Sequence, residues 1–223
     1  MTEPSYLTAT RAGYDSFAAE YAEAAADELG EKPFQLAMLA EFAERVRSAG
    51  AGPVADIGCG PGRVSAHLAS LGVDVFGLDL SSEMIALARR TYPGLRFDVG
   101  AMPDLDLADA SLGGVLAWYS VIHLPPELLP AAFAEFRRVL VPGGHLLLAF
   151  QVGDEPLHVS EAFGHEVALD FHRLRPERVS DLLEDAGFRV DARLVRGPHD
   201  PGTSETRLTE RMPQAYILAS APA

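Results

Sequence analysis

Apolar positions along the chain follow two rhythms. From residue 14 to residue 48 they recur every three or four positions: Tyr14, Phe17, Tyr21 and Ala25, then Phe34, Ala37, Met38 and Phe42 after Pro33. That spacing predicts two amphipathic helices, and Ala49-Gly50-Ala51-Gly52-Pro53 stops them. Beyond this break short apolar runs take over at 54–57, 73–78, 95–99, 115–119 and 145–151, separated by helical segments or loops. The segment 126–140 shows the helical period best, with Leu129, Ala132, Phe133, Phe136, Val139 and Leu140 along one face, and Pro142-Gly143-Gly144 ends it and opens the next strand. Residues 178–186 read as a helix stopped by Gly187. Strands are expected at 188–195 and 214–219, with a long exposed loop over 197–206 between them. Short apolar strands alternating with helices predict an α/β fold, a parallel sheet wrapped by helices.

Length and composition narrow this to one domain. The 223 residues are 48% hydrophobic and 22% charged, a globular balance. A net charge of −14 repels phosphate backbones and anionic lipid, so neither nucleic acid nor membrane is expected as a partner. Lys32 is the only lysine, which removes a phosphate-loop Gly-Lys-Ser/Thr, and Cys59 the only cysteine, which removes an internal disulfide and a Cys-rich zinc site. The first residues show neither a basic nor an apolar leader, so a cytoplasmic location is expected. His158, His165 and His172 recur every seven residues, too far apart on a helix or a strand to ligate one ion, and no metal is expected.

The most informative stretch is Val54-Ala55-Asp56-Ile57-Gly58-Cys59-Gly60-Pro61-Gly62-Arg63, at the passage from a strand into a helix. Glycines there let the backbone take positive φ and let a ligand lie against the main chain. The next strand ends at Asp79, twenty-one residues after Gly58, where a carboxylate accepts from both hydroxyls of a ribose. A nucleoside-containing ligand follows. A dinucleotide fingerprint wants its third glycine at position 63, where Arg63 stands, and Asp56 disfavours a pyrophosphate while favouring an ammonium.

These residues resemble the class I S-adenosylmethionine-dependent methyltransferases, in their small-molecule, UbiE-like branch. The resemblance covers residues 14–151 and reaches the C-terminal side through Leu182-Leu183-Glu184-Asp185-Ala186-Gly187-Phe188. It implies a doubly wound, Rossmann-like sheet, mostly parallel with a C-terminal antiparallel strand, and helices on both faces. It implies a single domain: a helical cap over 1–50, a cofactor-binding half over 51–152, and an acceptor-side segment with the last strands over 153–223. The turn Gly58, Cys59, Gly60 and Gly62 is expected near the methionine moiety with Asp56, and Asp79 on the ribose. Leu80 and Met84 would flank the adenine, with Ala101 and Met102 at its edge. The family commonly has an aspartate where Ala101 stands, so that contact falls to the backbone of Ala101 and Met102, to packing, or to Asp98 or Asp104. Tyr14 and Tyr21 match aromatic residues whose hydroxyls reach the cofactor's carboxylate, or are core rings of an ordinary helix. Arg63 either pairs near the cofactor or is a solvated helix residue, and Cys59 is a small filler of the turn.

Methyl transfer is an in-line displacement with a neutral thioether leaving, so orientation and removal of the acceptor's proton are the main tasks. Trp118, Tyr119 and His123 follow the fourth strand at the carboxyl edge of the sheet, where cofactor and acceptor would meet. His123, with an ordinary pKa of about 6.5, is a candidate general base or a residue that orients the loop, and His172 a candidate acceptor contact or a surface partner of Asp170. The expected activity is methylation of an O, N or C atom of a small molecule, with S-adenosylhomocysteine as product. A non-catalytic cofactor-binding or scaffold protein is the alternative. A macromolecule methyltransferase fits less well, because Trp118-Tyr119-Ser120-Val121 stands where such enzymes carry Asp/Asn-Pro-Pro-aromatic, and a dehydrogenase fits least. Neither the acceptor nor the oligomeric state is encoded in a motif.

Overall fold

The computed structural model describes residues 4–26, 29–30, 32–198 and 212–222. Three helices come first: α1 (Ser5–Ser16), α2 (Ala18–Ala25) and α3 (Pro33–Ala49). The α/β alternation follows, through β1 (Val54–Ile57), α4 (Arg63–Ser70), β2 (Val75–Asp79), α5 (Ser82–Thr91), β3 (Arg96–Val99), β4 (Leu112–Trp118), α6 (Leu129–Val139) and β5 (Leu140–Gln151). A hairpin of β6 (Leu157–Ala162) and β7 (His165–Phe171) precedes α7 (Pro176–Asp185), β8 (Arg189–Arg196) and β9 (Gln214–Ser220).

Seven strands form one sheet in the order β3-β2-β1-β4-β5-β9-β8. The first five run parallel, and β9 is antiparallel to both β5 and β8. This is the expected doubly wound sheet. β4 is buried along its whole length, the mark of a strand covered on both faces. One face packs on α6 and α7 through Phe133, Phe136, Leu182 and Leu183, and the other on α3 and α4 through Leu39, Phe42, Val46 and Leu68.

The helix ends follow local chemistry. Pro33 opens α3, left-handed Gly50 closes it, and Ser81 caps α5 by accepting from the amide of Met84. Gly13 allows a close approach: a Cβ there would lie 2.8 Å from Leu169, so α1 rests directly on β7.

Several boundaries differ from the sequence reading. The N-terminal region forms three helices, since Phe17 breaks the first run with a non-helical backbone. Strand β5 begins at Leu140, so Pro142-Gly143-Gly144 interrupts a strand instead of preceding one, and the β4–β5 register slips there. The hairpin β6–β7 has no counterpart in the sequence reading. Its two central turn residues, Phe163 (φ 52°) and Gly164 (φ 81°), both take positive φ, as in a type I′ two-residue hairpin turn. Phe163 is a poor residue for that backbone, and its ring packs 5.3 Å from Phe17 and 6.4 Å from Tyr21, measured between centroids. Most of the loop expected over 197–206 lies outside the described residues. No helix among the described residues is long and apolar enough to cross a membrane.

Phe136 is fully buried and Phe34 is 57% exposed. Phe136→Ala should cost about 3–5 kcal/mol of unfolding free energy in urea titrations, and Phe34→Ala no more than about 0.5 kcal/mol.

Candidate active site

A cavity of about 390 Å³ opens at the carboxyl ends of the central strands. Its floor is the turn after β1. Gly58, Gly60 and Gly62 all have positive φ, and each answers a different constraint. A Cβ on Gly58 would fall 2.2 Å from that of Ser120, and one on Gly62 2.7 Å from Phe97, whereas one on Gly60 would meet nothing within 4 Å. The first and third glycines therefore let neighbouring elements close in, and the second faces open space.

Asp79 ties this turn to the next. One carboxylate oxygen accepts from the Gly60 amide at 2.7 Å and the other from the Ser81 amide at 2.8 Å. The Ser81 hydroxyl in turn donates to Asp15 at 2.6 Å, and Asp15 also accepts from the Glu83 amide, so α1 is fastened to the start of α5. Burial pushes the Asp79 carboxyl upward, opposed by the amide hydrogen bonds.

His123 lies in a short turn after β4. Its Nδ1 is 3.1 Å from the Asp170 carbonyl, which only accepts, so this nitrogen carries the proton and donates. Its Nε2 then accepts from the Tyr14 hydroxyl at 2.8 Å. Burial, the largest influence, lowers the pKa to about 4, so the ring is neutral at physiological pH. The expected value of about 6.5 does not hold. Nor does Tyr14 have its expected freedom: its single proton is given to His123 and is not available to a cofactor carboxylate.

The cavity gathers most of the residues singled out in the sequence: Tyr14, Tyr21, Gly58, Gly60, Arg63, Asp79, Leu80, Met84, Ala101, Met102, Trp118, Tyr119 and His123 all line it. Four do not. Asp56 is fully buried behind the turn, where Ser65 donates to it at 2.6 Å. Burial first, and then the nearby Asp79 charge, raise its carboxyl to about 7 against the pull of Ser65 and Arg63. Cys59 faces inward against Gly77, with burial pushing its thiol well up, and Gly62 packs on Phe97. His172 follows β7, where its backbone amide donates to the Ile122 carbonyl, while Phe171 takes the cavity wall. Asp98 is half-exposed and paired with Arg89 and Arg96, and neither it nor Asp104 reaches the cavity.

The sequence reading missed two walls. One is the early face of α1, with Tyr6, Leu7, Thr10 and Arg11, and the other is the hairpin, with Val159, Phe163 and Leu169. Gln151 and Gln214 complete the lining from the sheet. The hairpin also sets the histidine spacing: His158 faces Asp170 at 2.9 Å, and His165 lies near Glu20 at 3.6 Å. Among the described residues no three His, Cys, Asp or Glu side chains gather as metal ligands.

Residues 54–144, from the glycine turn through β4 and α6, match the methyltransferase domain family. Over that stretch the chain carries a methyltransferase domain. An O-methyltransferase from Pyrenophora dematioidea is 31% identical to it over 162 residues, 69% of this chain and 60% of the relative. The chain spans 52% and 37% of the next two curated relatives, so it matches only part of each. Among solved structures, an S-adenosylmethionine-dependent methyltransferase from Methanosarcina mazei is 25% identical, with a TM-score of 0.66 over 76% of this chain and 92% of that one. DhpI, in a complex with SAH, superposes at a TM-score of 0.73 over 99% of both chains at 19% identity, a likeness of fold.

The methyltransferase domain has a pH signature at Asp56. Between about pH 4 and about pH 7 the folded chain holds a proton there that the unfolded chain has lost, so this residue's contribution to stability falls as pH rises. His123 acts oppositely between about pH 4 and about pH 6.5, where the unfolded chain binds the extra proton and stability rises with pH. Asp56→Asn removes the first effect alone. Its melting temperature should gain on the wild type progressively across that window and then hold a constant lead, whereas a constant difference throughout would show that Asp56 ionises normally. The His123 ring should titrate near pH 4 by NMR, and Tyr14→Phe should move it upward, because it deletes the hydrogen bond to the neutral ring.

Proposed function

We propose that this chain transfers a methyl group from S-adenosylmethionine to an O, N or C nucleophile of a small molecule and releases S-adenosylhomocysteine. The observation that carries this reading is the glycine turn and Asp79 opening onto the same cavity as the aromatic walls of α1, β4 and the hairpin. The residues fit the cofactor. Gly60 leaves its backbone open to the cavity, and Asp79, whose two oxygens accept from the Gly60 and Ser81 amides with further support from the Leu80 amide, keeps lone-pair capacity for a ribose hydroxyl. Leu80 and Met84 offer apolar contact beside it, and Ala101 and Met102 supply the backbone edge for the adenine.

When bound, the cofactor supplies an electrophilic methyl on a sulfonium whose departure as a neutral thioether needs no acid. The chain's own work is alignment and exclusion of water. Phe17, Phe163 and Phe171 roof the cavity, and a dry chamber strengthens every polar contact in it. His123 gives one nitrogen to Asp170 and the other to Tyr14, so its part is to join α1 to the hairpin base and not to receive the acceptor's proton. Proximity then carries the catalysis, with acceptors that ionise readily reacting best. The charge of −14 supports a small-molecule acceptor over nucleic acid, and the reading places the enzyme in the cytoplasm.

S-adenosylhomocysteine at about 100 times its Kd should stabilise the fold by about 2.7 kcal/mol, and NAD should not. Asp79→Ala should weaken that binding by roughly 10- to 150-fold in calorimetry, and should also lower the melting temperature because the Gly60 and Ser81 amides lose their acceptor. Unchanged affinity in the folded variant would place the ribose elsewhere. Transfer of labelled methyl to a panel of phenols and amines tests the reaction itself.

A further inference from the structure

Strands β5 and β9 end beside the cavity on a pair of glutamines. Gln151 and Gln214 face each other directly in the antiparallel register, so their side chains stand on the same side of the sheet, and both line the cavity. Gln214 is only 1% exposed. Its Nε2 donates to the Met212 carbonyl at 2.9 Å, and because a carbonyl only accepts, this bond fixes which end of the amide is which. Its Oε1 is thereby left without a partner. The Oε1 of Gln151 is likewise buried and without a partner. Two carbonyl oxygens in this state, side by side on one wall, contrast with the hydroxyls next to them: Tyr119 and Tyr216 are 3.0 Å apart and already engaged with each other, and Gln35 donates to Tyr119.

Buried polar atoms are nearly always satisfied, and an unsatisfied pair in a binding cavity marks where a ligand supplies the missing groups. We propose that Gln151 and Gln214 form a hydrogen-bond-accepting subsite that selects a methyl acceptor with an apolar, ring-sized body and a hydroxyl or amino donor. The inference rests on the methyl-transfer reading and adds to it the class of substrate. The body is set by the facing walls, where Phe17, Phe163, Phe171 and Leu169 present rings and methyl groups. The donor is set by the Gln214 oxygen, whose amide is oriented by its bond to Met212 and so offers lone pairs and no proton, with the Gln151 oxygen beside it. A carboxylate or phosphate set against the Gln214 oxygen would place acceptor against acceptor, and the subsite disfavours it.

The test uses the full chain and three probes of the same ring system: 2-naphthol, 2-methoxynaphthalene, which has no donor, and 2-naphthoate, which is an anion. Each is titrated by calorimetry with and without saturating S-adenosylhomocysteine. The expected result is that 2-naphthol binds about tenfold or more tightly than either of the others. Gln214→Leu and Gln151→Leu should each bring 2-naphthol to the level of its methyl ether. S-adenosylhomocysteine affinity should stay within about twofold; the melting temperature of Gln151→Leu should stay level or rise as an unsatisfied oxygen is removed, whereas that of Gln214→Leu should fall slightly because the bond to the Met212 carbonyl goes with it. Gln214→Met, unbranched like the native side chain, answers the same question where leucine disturbs β9. Equal binding of 2-naphthol and its ether to the wild type, no binding of any probe, or variants that keep the preference would overturn the subsite. Loss of S-adenosylhomocysteine binding alongside naphthol binding would overturn it too, since the glutamines would then act through the fold. If the wild type prefers 2-naphthol but never binds S-adenosylhomocysteine, the subsite stands and the methyl-transfer reading falls.

Discussion

The architecture of the cavity hangs on one carboxylate. Asp79 receives an amide from each of two successive strand-to-helix turns, and a carboxylate is the only side chain of that length with two acceptor ends and no donor. Through Gly60 it holds the glycine turn in its open form. Through Ser81 it sets the first turn of α5, whose capping hydroxyl then reaches Asp15 and fixes α1 above. Floor and cap are thus parts of one hydrogen-bonded chain of groups, assembled around a charge that burial makes costly to keep.

The same economy appears on the roof. His123 has two nitrogens and uses both for structure, one toward the base of the hairpin and one toward α1, with its ring between those of Tyr14 and Phe171. A neutral imidazole suits this role because it donates at one end and accepts at the other, whereas a charged one only donates. The hairpin wall is apolar, with Val159, Phe163 and Leu169, and α1 brings Thr10 and Arg11 beside Tyr6 and Leu7, while Asp79, Gln151 and Gln214 stand at the strand ends.

How much of this was legible in the sequence depended on whether the controlling interaction was local. Continuous apolar runs such as Leu146–Phe150 announce a strand covered on both faces, and the glycine turn and Asp79 are set by spacing along β1 and β2, so the fold and the floor could be read directly. The hairpin was not legible, because Phe163-Gly164 is not a usual turn pair and the strain at Phe163 is offset by rings of Phe17 and Tyr21 more than a hundred residues away. Nor was the state of His123, whose partners lie 109 and 47 positions off. Gln151 and Gln214 were missed for a simpler reason: a glutamine at a strand end ordinarily signals solvent, and here it signals an interior wall.

The strand order has a bearing on how the protein is made. Among the described residues β9 is the last strand in chain order, yet it lies between β5 and β8 and supplies Gln214 to the cavity. During synthesis β1 to β5, with the glycine turn and Asp79, are complete while the flank of β5 still presents a row of unpaired amides and carbonyls. The nascent chain therefore passes through a stage that has the floor of the cavity and an open, adhesive edge, and only the arrival of Gln214–Ser220 closes that edge. A ribosome-bound intermediate halted before β9 should be the form that needs a chaperone's cover.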